Sequence, residues 1–338
     1  MLEGTQDFRW RDGDRTVVFE GDGVKRALST LEAQGFGDFE LLSTERAVSS
    51  PAGQALATAA RAVHHVSSGG VPDASAELLG KAAGDRLVAL GGGRVIDSAK
   101  AVAAITGAGV AALPTTLSGA EMTGIHRLPA GREAEARGMV RPRLVIADPH
   151  AMTDAPGELL RTSAMNALAH GAEATYGPFA NPFATLCGLQ GARLIGASLG
   201  PGELGDSALR SLALGALLCA NAIDSAGLSL HHVISQTTVR VCGTPHAQTN
   251  AAVLPHSLEA MRPRAASEIG AVEEAIGASV GGLTARVEEM VGRRIGLGEL
   301  GARPQDLPTV ISQAGERLRA MAVPADEAEV EKVLAAAM

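Results

Sequence analysis

The stretch Leu87-Val88-Ala89-Leu90-Gly91-Gly92-Gly93-Arg94-Val95-Ile96-Asp97-Ser98-Ala99-Lys100 decides the fold. Four apolar residues of strand length run into three glycines, and the glycines run into a segment with helical spacing: strand, tight turn, helix start. Glycine permits positive φ and close approach to the backbone. Amides opening the helix can therefore face a pyrophosphate with the positive end of the helix dipole behind them. A plain βα turn that needs small residues for packing accounts for the same glycines, and the G-x-G-x-x-G spacing of the ordinary dinucleotide fold is absent. The loop after the next strand adds weight to the ligand reading. Val110–Leu113 ends in Pro114-Thr115-Thr116-Leu117-Ser118-Gly119-Ala120-Glu121-Met122-Thr123, which gathers hydroxyls and amides at strand ends, where open α/β sheets bind ligands.

Outward from this stretch, short apolar runs at 39–43, 86–90, 109–114 and 143–149 alternate with helical segments near 51–63 and 94–106, a pattern of parallel α/β. After residue 149 the strand signal stops. From Gly157 onward the chain is rich in Ala, Leu, Glu and Arg at helical spacing, so the second half reads as all-helical. Turn and N-cap residues crowd Asp148–Pro156, which places the boundary between a domain of residues 1–155 and one of residues 156–338.

Composition excludes several classes of function. The 338 residues carry 37 acidic and 29 basic side chains, a net charge of −8, and the arginines are scattered rather than gathered into an arm or stripe, so nucleic acid is not an expected partner. Cys187, Cys219 and Cys242 are far apart with no C-x-x-C pair, which fits a reduced compartment. The N-terminal residues have no apolar signal region, and the longest uncharged run, Ser211 to Ile223, is shorter than the ~18 residues of a spanning helix. The expectation is a soluble cytoplasmic protein with no membrane partner.

The nine histidines suggest a site. Asn166 and His170 are spaced i, i+4 on one helix face with Glu173 close to the same stripe. His231 and His232 follow in one segment, then His246 and His256. Zinc or iron accepts imidazole, and a catalytic ion needs three protein ligands with an open position, which His170, His232 and His246 could supply. Singly, each reads more simply as a hydrogen-bonded helix histidine.

These motifs together resemble the iron-containing (group III) alcohol dehydrogenases, and among them the maleylacetate reductase branch. The resemblance rests on VVFEGDG at 17–23, LVALGGGRVIDSAKA at 87–101, LPTTLSGAEMT at 113–123, RLVIADP at 143–149, SAMNALAHGAEATY at 163–176 with Asn181-Pro182, and the histidine segments from 231 to 256. It implies a Rossmann-like N-terminal α/β domain holding NAD(H) or NADP(H), a C-terminal helical domain of the dehydroquinate synthase-like kind, and an active site in the cleft between them. By the same mapping Gly92 and Gly93 meet the pyrophosphate, with Arg94 and Asp97 in the same motif. Thr115, Thr116, Leu117 and Ser118 lie near the nicotinamide and its ribose, and Ser43 and Thr44 meet the adenosine end. Family analogy also implies a homodimer.

Two positions depart from the family pattern. Asn166 stands where the metal-binding aspartate is expected, so a divalent ion should bind weakly or not at all, although His170, His232 and His246 are kept. Gln236 stands where a histidine near the reacting oxygen is usual; it can donate a hydrogen bond but cannot shuttle a proton near neutrality. The leading reading is hydride transfer from reduced nicotinamide to a small unsaturated or keto acid, with protonated His170, His232 and His246 meeting the developing negative charge. His126 is a candidate replacement proton donor, Tyr176 a weaker one, and Arg94, Arg127 and Arg161 are candidate clamps for an anionic substrate. The alternatives are a metal-dependent alcohol dehydrogenase and a divergent biosynthetic member with lost or altered redox activity.

Overall fold

The computed structural model describes residues 6–200 and 204–338. The chain forms two compact units, Met1–Ala155 and Pro156–Met338. The first holds seven strands, β1 (Phe8–Asp12), β2 (Arg15–Phe19), β3 (Glu40–Ser43), β4 (Ala62–His65), β5 (Arg86–Gly91), β6 (Gly109–Pro114) and β7 (Leu144–Ala147). Its helices are α1 (Ala27–Ala33), α2 (Glu45–Val48), α3 (Pro51–Ala59), α4 (Val71–Leu78), α5 (Gly93–Thr106) and α6 (Pro149–Thr153).

The strands form one sheet in the order β1-β2-β7-β6-β5-β3-β4. Six of them run parallel, and β1 joins β2 antiparallel at one edge, so the sheet is mixed rather than wholly parallel. The hairpin turns through Gly13-Asp14, with Gly13 at φ 61°, a left-handed conformation that glycine adopts without strain at the first corner of a two-residue loop. The segment read as helical to residue 63 is α3 ending at Ala59, followed by β4, whose Ala62 pairs with Glu40.

Alternation along each strand feeds two cores. Leu87 and Ala89 point to one face, where Val95, Ile96, Ala99 and Val102 of α5 cover them. Val88 and Leu90 point to the other, against Leu31 of α1 and Leu56 of α3. A strand buried on both faces is apolar throughout, which is why Leu87–Leu90 shows no polar alternation. From β3 the chain builds outward to β4, then returns to β5 and proceeds the other way through β6 and β7. The strand order therefore reverses between β3 and β5, and the glycine turn stands at the carboxyl end of β5, at that switch point.

The second unit is helical among its described residues: α7 (Gly157–Tyr176), α8 (Pro182–Ser198), α9 (Asp206–Ala226), α10 (Leu230–Cys242), α11 (His246–Met261), α12 (Ala266–Ile276), α13 (Val280–Val291), α14 (Leu307–Ala320) and α15 (Glu327–Ala337). Helices α7, α8 and α9 pack at unusually short range through glycines. A Cβ on Gly188 would lie 2.6 Å from the Gly171 carbonyl oxygen, and one on Gly171 would lie 2.6 Å from Cys219 Sγ. This contact sets α7, which carries Asn166, His170 and Glu173. Among the described residues no single helix is long and apolar enough to cross a membrane.

Candidate active site

In the N-terminal unit, Gly92 caps α5 without a side chain occupying the helix's first amides. The first helical bonds run from the Val95 and Ile96 amides to Gly92 O, so the amides before them point outward without an intrahelical partner. A Cβ on Gly92 would stand 3.0 Å from Thr116 Cγ2, and one on Gly93 would stand 3.0 Å from Ser118 Cβ. The glycine turn and the Thr-Ser loop thus form a backbone-lined cradle that side chains would fill. Thr116 Oγ1 is buried there without a hydrogen-bond partner. Exposed amides, a helix dipole and an uncommitted hydroxyl are the donor set a pyrophosphate takes, so these residues fit a dinucleotide.

Other sequence candidates have different work. Ser43 Oγ donates to Leu90 O at 2.7 Å inside the sheet, and Thr44 Oγ1 accepts from the Ala47 amide as the N-cap of α2. Both hydroxyls expected at the adenosine end are therefore engaged with backbone groups of the protein, and the Ser43 proton is committed to Leu90 O. Leu117 is fully buried and has only backbone to offer. Arg94 is exposed and donates to Ser68 O. Asp97 pairs with Lys100 at 2.7 Å. Lys100, which the motif reading passed over, is completely buried, and its ammonium also donates to Ala120 O at 2.8 Å and Ile125 O at 3.0 Å. It staples the loop that follows Thr115–Ser118 onto α5. Glu121 in that loop is buried with no other residue hydrogen-bonding its carboxylate, and burial pushes it up to about 7.

His126, the candidate proton donor, is buried with both ring nitrogens occupied. Nε2 accepts the Val140 amide at 3.0 Å, so Nδ1 carries the proton and donates to Arg127 O at 3.1 Å. Burial lowers its affinity for a second proton. It is a neutral clasp on the loop, which accounts for it without proton transfer. Arg127 is exposed, and Arg161 donates to Gly157 O one turn back on α7.

In the C-terminal unit, α7 presents Asn166, His170 and Glu173 on one face, and the start of α10 lies against it. Glu173 is fully buried. Its Oε1 accepts the His231 amide at 2.7 Å and the His232 amide at 3.4 Å. Its Oε2 accepts the Ser229 amide at 3.0 Å and contacts His232 Nδ1 at 2.6 Å. Ser229, the N-cap of α10, contributes no side-chain cap, so Glu173 caps α10 from another helix. The His170 and His232 rings stack with centroids 4.5 Å apart and planes within 5°, and His231 meets His232 edge-on. His231 is a structural residue, with Nε2 2.9 Å from Asn250 Oδ1 and Nδ1 3.0 Å from Ser257 Oγ. His246 opens α11 and is exposed. Asn166 Oδ1, His170 Nδ1, His232 Nε2 and Tyr176 Oη are buried atoms without a hydrogen-bond partner.

Does this arrangement fit an ion? Among the described residues no group of three or more His, Cys, Asp or Glu is placed to hold one. The reason is geometric as well as compositional. Ligating lone pairs lie in the imidazole planes, and two stacked rings with planes within 5° do not aim those lone pairs at one point. With Asn166 in place of a carboxylate, the expected trio of His170, His232 and His246 does not fit zinc or iron. The picture of protonated imidazoles also needs correction. Burial, reinforced by the neighbouring histidines, pushes His170 well below the usual histidine range, and burial with His246 pushes His232 down to about 3. In the ligand-free protein the rings are neutral.

Gln236, one turn after His232, is half-buried, and its Oε1 accepts Arg317 Nη2 of α14 at 2.9 Å while Arg317 Nη1 donates to Thr237 Oγ1 at 3.2 Å. Where a proton carrier was expected, this chain holds a guanidinium bracket. Sequence reasoning missed Arg317 and Lys100 and gave Glu173 only proximity; for Glu173 the i, i+3 spacing from His170 was the available signal.

Comparison with known proteins agrees with this geometry. Residues 25–149 match the iron-containing alcohol dehydrogenase family, and residues 161–338 match the C-terminal part of the Fe-containing alcohol dehydrogenase family. The chain is 32% identical to maleylacetate reductase of Burkholderia cepacia over 279 residues, 78% of each protein. It is 33% identical to maleylacetate reductase of Pseudomonas aeruginosa over 254 residues, 72% of each. Its fold matches the crystal structure of maleylacetate reductase from Agrobacterium tumefaciens with a TM-score of 0.80 at 25% identity, covering 99% of this chain and 98% of that one. It also matches sulfoacetaldehyde reductase of Bifidobacterium kashiwanohense, solved in complex with NAD+, with a TM-score of 0.78 at 18% identity and 98% coverage of each, a likeness of fold. On the glycine cradle of one unit, the histidine-bearing stripe of the other and these matches along both, the chain belongs to the iron-containing alcohol dehydrogenase family and is an NAD(P)H-dependent oxidoreductase similar to maleylacetate reductases.

Proposed function

We propose that this chain reduces a small anionic acid bearing a carbonyl or conjugated double bond, the class to which maleylacetate belongs, without a bound metal ion. The observation that carries the reading is the histidine stripe of α7 and α10. Asn166 and two stacked, neutral imidazoles do not converge on an ion, yet they leave unsatisfied buried polar atoms that call for a polar ligand. Reduced nicotinamide, when bound, supplies the hydride. The chain's own residues do the rest. The amides after Gly92 and the Thr116 hydroxyl receive the pyrophosphate region, and Lys100 holds the Thr115–Ser118 loop in shape. The Arg317 guanidinium beside Gln236 offers N–H donors to the substrate's charged oxygens, and His232, fixed by Glu173, presents an oriented imidazole beside them. One well-aimed donor at a developing oxyanion contributes about 3–4 kcal/mol. The fold-mate's NAD+ complex supports the cofactor assignment, and the maleylacetate reductase relatives support the substrate class.

Fluorescence titration with NADH and NADPH, followed by turnover of maleylacetate with and without a strong chelator, tests the reading. Binding of a reduced nucleotide and chelator-resistant turnover are expected. Absence of nucleotide binding, or activity lost to the chelator and restored by iron or zinc, would overturn it.

A further inference from the structure

We infer that the Glu173 carboxylate holds His232 in its Nδ1–H tautomer, so that the atom His232 presents to a ligand is the Nε2 lone pair, an acceptor matched to the hydroxyl of a hydroxy acid or enol rather than to a carbonyl oxygen. Glu173 is thereby a positioning residue. The inference rests on the proposed reading only in the choice of ligands, the oxo acid and its hydroxy product.

An ionised carboxylate has acceptors and no donor. Both Glu173 oxygens are already loaded by backbone amides, Oε1 by His231 and His232 and Oε2 by Ser229, and the carboxylate occupies the cap position of α10, at the positive end of its dipole. Burial raises the proton affinity of Glu173, and the three amides and the dipole oppose that rise; with both oxygens already accepting backbone N–H groups, the geometry leaves the carboxylate acting as an acceptor, and what faces Oε2 at 2.6 Å is then an N–H. A neutral imidazole has one N–H, and here it is spent on Glu173. Nε2 is left bare, buried and without a partner. Asn166 Oδ1, on the same face of α7 as Glu173, is a second buried acceptor without a partner. Two orphaned acceptors ask for a donor, and a hydroxyl provides one.

Replacing the carboxylate by an amide should reverse the tautomer. In Glu173→Gln, the amide oxygen on the Oε1 side satisfies two backbone amides and abandons one. The opposite orientation satisfies one and abandons two. The first is favoured, and it turns the NH2 group toward His232 Nδ1, which must then accept, moving the ring proton to Nε2.

The experiment is nitrogen NMR of the full-length chain labelled with 15N-histidine, with His232 assigned from a His232→Asn variant. Dissociation constants for a hydroxy acid and its oxo counterpart are measured alongside. Wild type is expected to show an unprotonated Nε2 and Glu173→Gln a protonated one, with hydroxy-acid binding weakened roughly ten-fold and oxo-acid binding not weakened. Glu173→Asp, which keeps the carboxylate, should retain the wild-type tautomer. A protonated Nε2 in wild type overturns the inference, and so does an unchanged tautomer in the Gln variant or equal weakening of both ligands. The wild-type spectrum decides even if the Gln variant does not fold. Because the tautomer is read without turnover, failure here is distinct from failure of the proposed activity.

Discussion

Replacing Gly188 by alanine should damage the site from a distance, and the structure gives the size of the effect. The new Cβ would lie 2.6 Å from the Gly171 carbonyl oxygen and 3.4 Å from the Gly171 Cα. The obstructing atom is backbone and cannot rotate aside, so α7 and α8 must separate by roughly 0.8 Å to restore ordinary contact. Overpacking of this kind costs about 1–3 kcal/mol, and a rigid obstacle argues for the upper end. The intrinsic gain of alanine over glycine within a helix, about 1 kcal/mol, opposes it. A net loss of about 2 kcal/mol corresponds to a fall of roughly 4–8 °C in the melting temperature of a unit this size. Gly171 adjoins His170, so the displacement also shifts the stacked imidazoles, and turnover should fall while nucleotide binding at the glycine cradle persists. Gly270 is the control. It lies exposed in α12, where an added Cβ would have nothing within 4 Å, so the same change there should raise the melting temperature by about 2–4 °C. Calorimetry of both variants with NADH or NADPH titration measures this, and a Gly188→Ala protein as stable as wild type, or two shifts of the same sign, would refute the reasoning.

Three further outcomes follow from particular contacts. Lys100→Met removes the ammonium that holds Ala120 O, Ile125 O and Asp97; a loss of about 3 kcal/mol in urea unfolding is expected, with nucleotide binding weakened because the adjoining loop carries Thr116. Ser43→Ala should cost about 1 kcal/mol through the broken bond to Leu90 O and leave nucleotide affinity unchanged within two-fold, since the hydroxyl is committed inside the sheet. His231 has its proton affinity pushed down to about 3, mainly by burial, against an ordinary value of 6.5. The unfolded chain therefore takes up this proton first as pH falls, and stability present above 6.5 drains away below it by about 2 kcal/mol between pH 7 and pH 5. Urea midpoints at the two pH values check this, with a shallower dependence expected in His231→Asn.

What the sequence disclosed and what it withheld divide along physical lines. The glycine turn was legible because its requirement is local: three residues without Cβ between an apolar strand and a helical period. The apolar runs of β3, β5, β6 and β7 were legible because both faces of those strands are buried. The β1–β2 hairpin carried a readable signal in its Gly13-Asp14 loop, masked by the charged residues around it and by a strand whose residues are mostly exposed. Strand β4 had little signal of its own; Ala62–His65 is extended because β3 offers it a hydrogen-bonded edge and because Glu40 meets both Arg61 and His64. On the site, the i, i+4 spacing of Asn166 and His170 was enough to place them together. The contacts of Glu173 with His232, of Gln236 with Arg317 and of Ser43 with Leu90 join residues 47 to 81 positions apart, and no local periodicity encodes them. Motif transfer carried over the position of Ser43 but not its hydroxyl's partner, for the same reason.

The change at position 166 has a wider meaning once the charges on α7 are followed. Glu173 survives as the carboxylate of this face, but its charge is spread over three backbone amides, the N-terminal dipole of α10 and the His232 ring. A carboxylate so engaged offers no oxygen to a cation, and Asn166 adds a dipole where a negative ligand would have stood. The cluster therefore contains no uncompensated negative charge to draw an ion out of water, and neutral, stacked imidazoles do not supply the converging lone pairs that would substitute for it. Such a face opposes an acid with no full charge, only with the lone pairs of Asn166 Oδ1 and His232 Nε2, whereas a free carboxylate at position 166 would add a negative charge against it. Exchanging one carboxylate oxygen for one amide nitrogen at position 166 thus makes the face both a poorer site for a cation and one without net negative charge.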